Sequence, residues 1–249
     1  MIIFKPITSF SLAGFDTSVH GLFMALGVFV AYLFARRRIR SSGLSVETFE
    51  NLLTVMIVSG LIGARVVFLF FQGSDMSLLD MLAIWKGGLS SHGGFIFASV
   101  ASFIYLKWKR LDVTKYFDAL APYVLLGWSI GRIGDFLSWG EYGVASTLPW
   151  AINAFGTPRH PTQIYESILY LASFFFVIVL RKYRHLAPGV TTAIATGSFA
   201  ASRFFIDFFR ADDPQYRLFS QIVTAAIVLL VAGYLLWKKW GHHKPISVD

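Results

Sequence analysis

Seven apolar runs, each close to the ~20 residues that cross a lipid bilayer as a helix, divide this chain of 249 residues. They lie at about 19–35, 51–71, 89–106, 119–137, 163–180, 189–209 and 219–237. Inside lipid the backbone finds no water to bond, so runs of this length must close their own hydrogen bonds as helices. The expected fold is an all-α integral membrane protein with seven transmembrane helices, forming a single domain over residues 1–249. Composition agrees, with 55% hydrophobic, 17% aromatic and 14% charged residues, where a soluble domain carries about 25% charged.

The connections between the runs alternate in basic content. Arg36 to Arg40 follow the first run, Lys107, Lys109, Arg110 and Lys115 the third, Arg181, Lys182 and Arg184 the fifth, and Lys238, Lys239 and Lys244 the seventh. The other connections are poor in Lys and Arg or balanced by acids, as where Lys86 lies near Asp75 and Asp80. The positive-inside rule then puts the N-terminus outside and the C-terminus in the cytoplasm. The first run has no basic segment before it and ends in arginines, the pattern of a retained span and not of a cleaved signal. The formal charge of +8 is thus a topology signal and a contact to anionic membrane lipids, and no nucleic-acid partner is expected. With no cysteine in the chain, disulfides, thiolate catalysis and cysteine metal sites are excluded.

Against this apolar background stand Arg65, Arg132, Asp135, Glu166, Arg203 and Asp207, full charges within the runs. A charge at bilayer depth costs roughly 2.5–3.5 kcal/mol even on lenient scales, so such residues face a protein interior or a wet cavity and mark function. Arg132 and Asp135 are three apart and Arg203 and Asp207 four apart, spacings that share a helix face. Each is either a self-neutralising structural pair or a guanidinium presented to a phosphodiester, whose geometry its planar fork matches. Arg210, Gln163, Tyr165 and Glu166 fall at the same level. Ser90-Ser91-His92-Gly93-Gly94 opens the third run. His92 is either an interfacial anchor or a base, its ordinary pKa of about 6.5 suiting proton transfer near neutrality. The stretch Gly127-Trp128-Ser129-Ile130-Gly131 matches the nucleophile elbow in letters only, because that motif works on a strand–turn–helix corner and not mid-helix. Gly127, Gly131 and Gly134 are better read as sites of close helix approach. Together the charged groups describe a cavity near the outer leaflet suited to an anionic lipid headgroup.

In order along the chain, Gly63-Ala64-Arg65, the stretch from Trp85 to Gly94, Gly131 to Gly143, Arg159 to Glu166 and Arg203 to Arg210 resemble the bacterial prolipoprotein diacylglyceryl transferases. The resemblance implies an enzyme of the bacterial plasma (inner) membrane that transfers the diacylglyceryl group of phosphatidylglycerol to the lipobox cysteine of a prolipoprotein signal peptide, with no cofactor and no metal. On that resemblance His92, Arg203 and Asp207 are catalytic, with His92 as the base for the acceptor thiol. Arg132, Asp135, Arg65, Gly143, Glu141, Tyr165, Glu166, Arg210 and His20 bind substrate. The chain departs from the family pattern where Asp135 replaces an asparagine, where Gly140 takes a glutamate position with Glu141 one place later, where His20-Gly21 replaces Tyr-Gly, and where Asp207 replaces a glutamate. An added acid at 135 would weaken the positive field at Arg132.

The main alternative is a membrane transporter of an anionic substrate, since intramembrane Arg/Asp pairs also mark transport paths; a paralogue with another acceptor is a third reading. Transporters often carry internal repeats or paired broken helices, and neither is visible. A retinal protein would need a lysine between Ser220 and Leu236, where there is none.

Overall fold

A computed structural model describes residues 2–12, 15–72, 88–154 and 156–241. Seven helices are described, one on each apolar run: α1 (Val19–Ser41), α2 (Val46–Gln72), α3 (Ser91–Trp108), α4 (Val113–Ser138), α5 (Thr162–Tyr183), α6 (Val190–Asp207) and α7 (Pro214–Gly241). The all-helical expectation needs one addition, because short strands of at most four residues precede α1 and lie in the connection between α4 and α5. These are β1 (Ile2–Ile3), β2 (Ser9–Leu12), β3 (Phe15–Ser18), β4 (Ile152–Asn153) and β5 (Pro158–Arg159). Lys86, Asp75, Asp80, the Trp85–Gly87 portion of the family motif and Lys244 lie outside the described residues.

The helices α1, α2, α5 and α7 are long and apolar enough to cross a membrane, and α3 is a shorter apolar helix. Their outward faces carry large apolar side chains in the open, among them Phe29, Ile62, Phe176, Leu229 and Leu230. Soluble proteins do not leave apolar surface on this scale unpaired. This is a multi-pass membrane protein.

By contacts the chain forms two compact units, residues 1–37 with 117–249, and residues 38–116. In the second unit α2 and α3 approach with almost no side chain between them: a Cβ on Gly63 would strike the Gly93 carbonyl and Phe97, and one on Gly93 would strike the Gly63 carbonyl and Val67. Small residues permit such contact where lipid offers no hydrophobic drive between helices. The turn before α3 is held by Arg65, whose Nη1 donates to the Gly88 carbonyl at 2.9 Å, while the Ser90 N–H donates to the Ala64 carbonyl. Gly88 has φ of +74°, a left-handed conformation that glycine adopts without penalty. Ser90 then caps α3, its hydroxyl accepting from the Gly93 N–H.

In the first unit, α1 and α4 cross backbone to backbone. A Cβ on Gly27 would meet the Gly127 carbonyl, and those on Gly131 and Gly134 would meet Met24 and Phe23. The close-approach reading of this glycine stripe is thereby borne out. Ser129 is buried and donates to the Leu126 carbonyl of its own helix, and its carbonyl accepts from Ser167 on α5, a helix contact with no nucleophile elbow. Asp118 on α4 closes the start of α6. Its carboxylate accepts from the Gly189 and Thr192 N–H groups and from the Thr192 hydroxyl at 2.7–2.8 Å. The long connection 138–162 is organised by a small sheet, β1 parallel to β4 and β4 antiparallel to β5, with bridges from Gly143 to Arg210 and Ala145 to Arg159.

Candidate active site

The first unit gathers three arginines where α4 and α6 end and α5 begins. Arg132, Arg203 and Arg210 are each at least nine-tenths buried, as are Asp135, Glu166 and Asp207. Glu166 is the centre of the cluster. Fully buried, it takes Arg132 Nε on one oxygen at 2.6 Å and Arg203 Nη1 on the other at 3.0 Å, tying α4, α5 and α6 together. The Arg132 contact is a close ion pair without an aligned hydrogen bond. A buried carboxylate bridging two cations is a high-stakes element, since deleting it leaves two guanidiniums uncompensated.

Glu141 reaches the cluster through an unusual turn. At the end of α4 the Trp139 N–H bonds the Phe136 carbonyl and the Gly140 N–H bonds the Asp135 carbonyl, a Schellman closure. The left-handed position is filled by Trp139, with φ of +56°, and Glu141 is left-handed again at +53°. A non-glycine residue pays of order 1 kcal/mol or more in that region and persists there only when its surroundings hold it. Here Thr162 donates to the Glu141 carbonyl and Gln163 to the Gly140 carbonyl. The turn sets Glu141 Oε2 2.6 Å from Arg132 Nη1 and 3.1 Å from Arg210 Nη1. Partial burial alone would raise the Glu141 carboxyl, but Arg132, Arg210 and Arg203 outweigh it and hold it well below the usual carboxylate range.

The remaining partners complete the network. Arg132 Nη1 also meets Asp135 Oδ2 at 2.6 Å, and Asp135 Oδ1 meets His20 Nδ1 at 2.6 Å. Arg203 Nε meets Asp207 Oδ1 at 3.0 Å, and Ser220 of α7 donates to Asp207 Oδ2. Asp212 accepts from both Nε and Nη2 of Arg210 and lies 3.9 Å from Arg203 Nη2. Three guanidiniums therefore face five carboxylates, Asp135, Glu141, Glu166, Asp207 and Asp212, so the cluster is formally acidic and not the net cationic pocket that the isolated arginines imply. Its ordering is the informative part. Among the described residues Arg132 Nη2 has no partner, and Arg203 Nη2 has only Asp212 at 3.9 Å, beyond hydrogen-bond distance, while the other edges are fixed by acids, of which Asp135, Glu166 and Asp207 are buried and Glu141 is half exposed. A cavity of about 60 Å³ opens beside Arg132, lined by His20, Met24, Trp128, Asp135 and Glu141.

Of the residues singled out in the sequence, His20, Arg132, Asp135, Glu141, Glu166, Arg203, Asp207 and Arg210 come together. Gly143 contributes backbone, its N–H donating to the His160 carbonyl. The Tyr165 hydroxyl is engaged by Trp150 Nε1 at 2.8 Å and by His160. Arg65 and His92 belong to the second unit, His92 in the first turn of α3, and the side chain of His92 lies outside what is described. Sequence reasoning passed over Asp212 and Ser220. Asp212 carries a signal, the Arg210-x-Asp212 spacing; Ser220 carries none.

Membrane-length helices and an ordered, buried ionic cluster define an integral membrane protein with a polar site. Residues 7–238 match the model of the prolipoprotein diacylglyceryl transferase family. A phosphatidylglycerol–prolipoprotein diacylglyceryl transferase of Finegoldia magna is 30% identical over 93% of this chain and 94% of its own length. One from Thermotoga maritima is 30% identical over 91% of this chain and 83% of its own, and one from Staphylococcus aureus 28% identical over 98% and 94%. The chain belongs to the prolipoprotein diacylglyceryl transferase family.

Proposed function

We propose that this protein, in the bacterial inner membrane, transfers the diacylglyceryl group of phosphatidylglycerol to the thiol of a prolipoprotein's lipobox cysteine. A thioether forms and glycerol phosphate leaves. The observation that carries this reading is the free Nη2 edge of Arg132, whose other edges are held by Asp135, Glu141 and Glu166, together with Arg203, whose Nη2 faces Asp212 only at 3.9 Å. Oriented cations held in place by carboxylates stabilise developing phosphate charge without reorganising during the reaction. Glu166 and Asp207 do the orienting. In this reading Asp135, Glu141, Gly143, Tyr165, Arg210 and His20 bind lipid headgroup and signal peptide, and Arg65 is assigned to substrate binding as well. His92 accepts the thiol proton, which an ordinary thiol with pKa near ~8.5 does not release readily at neutral pH. The chain acts as one catalytic domain spanning the membrane seven times, N-terminus outside.

Purified protein is incubated with phosphatidylglycerol and a lipobox peptide, and the peptide mass is read. A gain of one diacylglyceryl group is expected. No gain with wild-type protein overturns the reading. Arg132→Lys and Arg203→Lys keep one charge but lose the planar fork that holds two acids while keeping an edge turned to a phosphate. Each is expected to lose about 10²–10³-fold in rate, the range for losing a preorganised donor, and wild-type rates in both would remove the phosphate role.

A further inference from the structure

His20 and Asp135, remote in sequence and both departures from the family pattern, touch each other. The Asp135 carboxylate divides its oxygens between them, Oδ1 to His20 Nδ1 at 2.6 Å and Oδ2 to Arg132 Nη1 at 2.6 Å. The Asp135 side chain is 11% exposed and that of His20 47%, so the carboxylate is fixed in the protein while the imidazole stands at its rim. Both line the small cavity beside the free edge of Arg132. The crossing of α1 and α4 sets this contact: a Cβ on Gly134, one residue before Asp135, would meet the His20 Cα at 3.2 Å. The charged groups facing the ring are Asp135, Arg132 and Glu141.

An imidazole with Nδ1 committed to a buried carboxylate has its orientation and tautomer set, and it presents Nε2. As imidazolium both ring nitrogens donate. We infer that His20, positioned by Asp135, is the acid of the transfer reaction, giving its Nε2 proton to the leaving phosphate as the free edge of Arg132 holds that group. This rests on the function proposed above. The thiol sulfur forms the C–S bond to the glyceryl carbon as the C–O bond to phosphate breaks, with the bonding pair leaving on oxygen. The thiol proton goes to the base and the His20 proton to the phosphate oxygen. Half-exposed, His20 is recharged from water. The pairing also accounts for an acid beside a phosphate-binding arginine: the imidazolium offsets the charge that Asp135 adds.

The test compares two lipids in purified full-length protein. Phosphatidylglycerol releases a phosphate monoester that gains from protonation, whereas a diacylglycerol sulfate ester releases sulfate, which does not. His20→Gln is expected to slow transfer from phosphatidylglycerol by about 10²-fold or more, at the lower end for acid–base residues, and to slow transfer from the sulfate ester much less. Asp135→Asn is expected to show the same lipid-dependent pattern at smaller size, and the double variant to lose no more than His20→Gln alone, as residues acting as a unit do. An equal loss on both lipids by His20→Gln means the residue is structural and overturns the inference. Wild-type rates in His20→Gln do the same. If wild-type protein transfers from neither lipid, the proposed function fails instead, and the two failures are thereby distinct.

Discussion

At the scale of single residues, the site is governed by which edge of each arginine a carboxylate occupies. Glu141 shows how narrowly this is set, since two left-handed residues are needed to bring it back over Arg132 and Arg210. Its depressed carboxyl makes a prediction about pH. A group whose native pKa lies below its unfolded value stabilises the fold fully above the unfolded value, near ~4.3 for Glu, and loses that contribution as pH falls towards the native value. Wild-type protein should therefore be more stable than Glu141→Gln at neutral pH, and the gap should close progressively below about pH 4. Because the side chain is 46% exposed, solvent screening holds the gap to about 1 kcal/mol. Thermal unfolding in detergent across pH checks this, and a gap that widens on acidification would contradict it.

At the scale of elements, contacts without side chains between them place the helices, and polar caps fix their ends. The glycine stripe of α4 was legible in the sequence because small residues at helical spacing have few other uses in an apolar run. Asp118 was not legible. It reads as one acid among the basic residues at a helix start, yet its carboxylate accepts three hydrogen bonds at the start of α6. That cap holds the helix whose far end carries Arg203 and Asp207. Asp118→Ala is expected to cost about 1–2 kcal/mol, the upper range for losing a cap. Asp118→Asn, which keeps one acceptor oxygen, should cost less. Equal stability of Asp118→Ala and wild type would show that the cap is not holding α6.

At the scale of the whole molecule, the proposal of seven spans follows from alternating basic connections, and the helices α1 to α7 fall one on each apolar run. Reporter fusions after Arg40, Arg110 and Arg184 are expected to report cytoplasm, because excess Lys and Arg near span ends resist translocation. An outside signal from any of the three would overturn the topology.

Hydropathy and charge by themselves determined the helical class, the position of every described helix and the identity of most of the buried charges. Those properties belong to a residue and its near neighbours, and in lipid a buried charge or a long apolar run has few alternative explanations. The tertiary structure alone decided the pairing. Glu166 between Arg132 and Arg203, Asp212 on Arg210, Ser220 on Asp207 and His20 on Asp135 join segments distant along the chain. Ion pairing is short-ranged and depends on geometry, so a sequence names the charges but cannot say which of them meet. That is why isolated arginines imply a cationic pocket, while the folded protein surrounds them with acids and leaves one edge of Arg132 open.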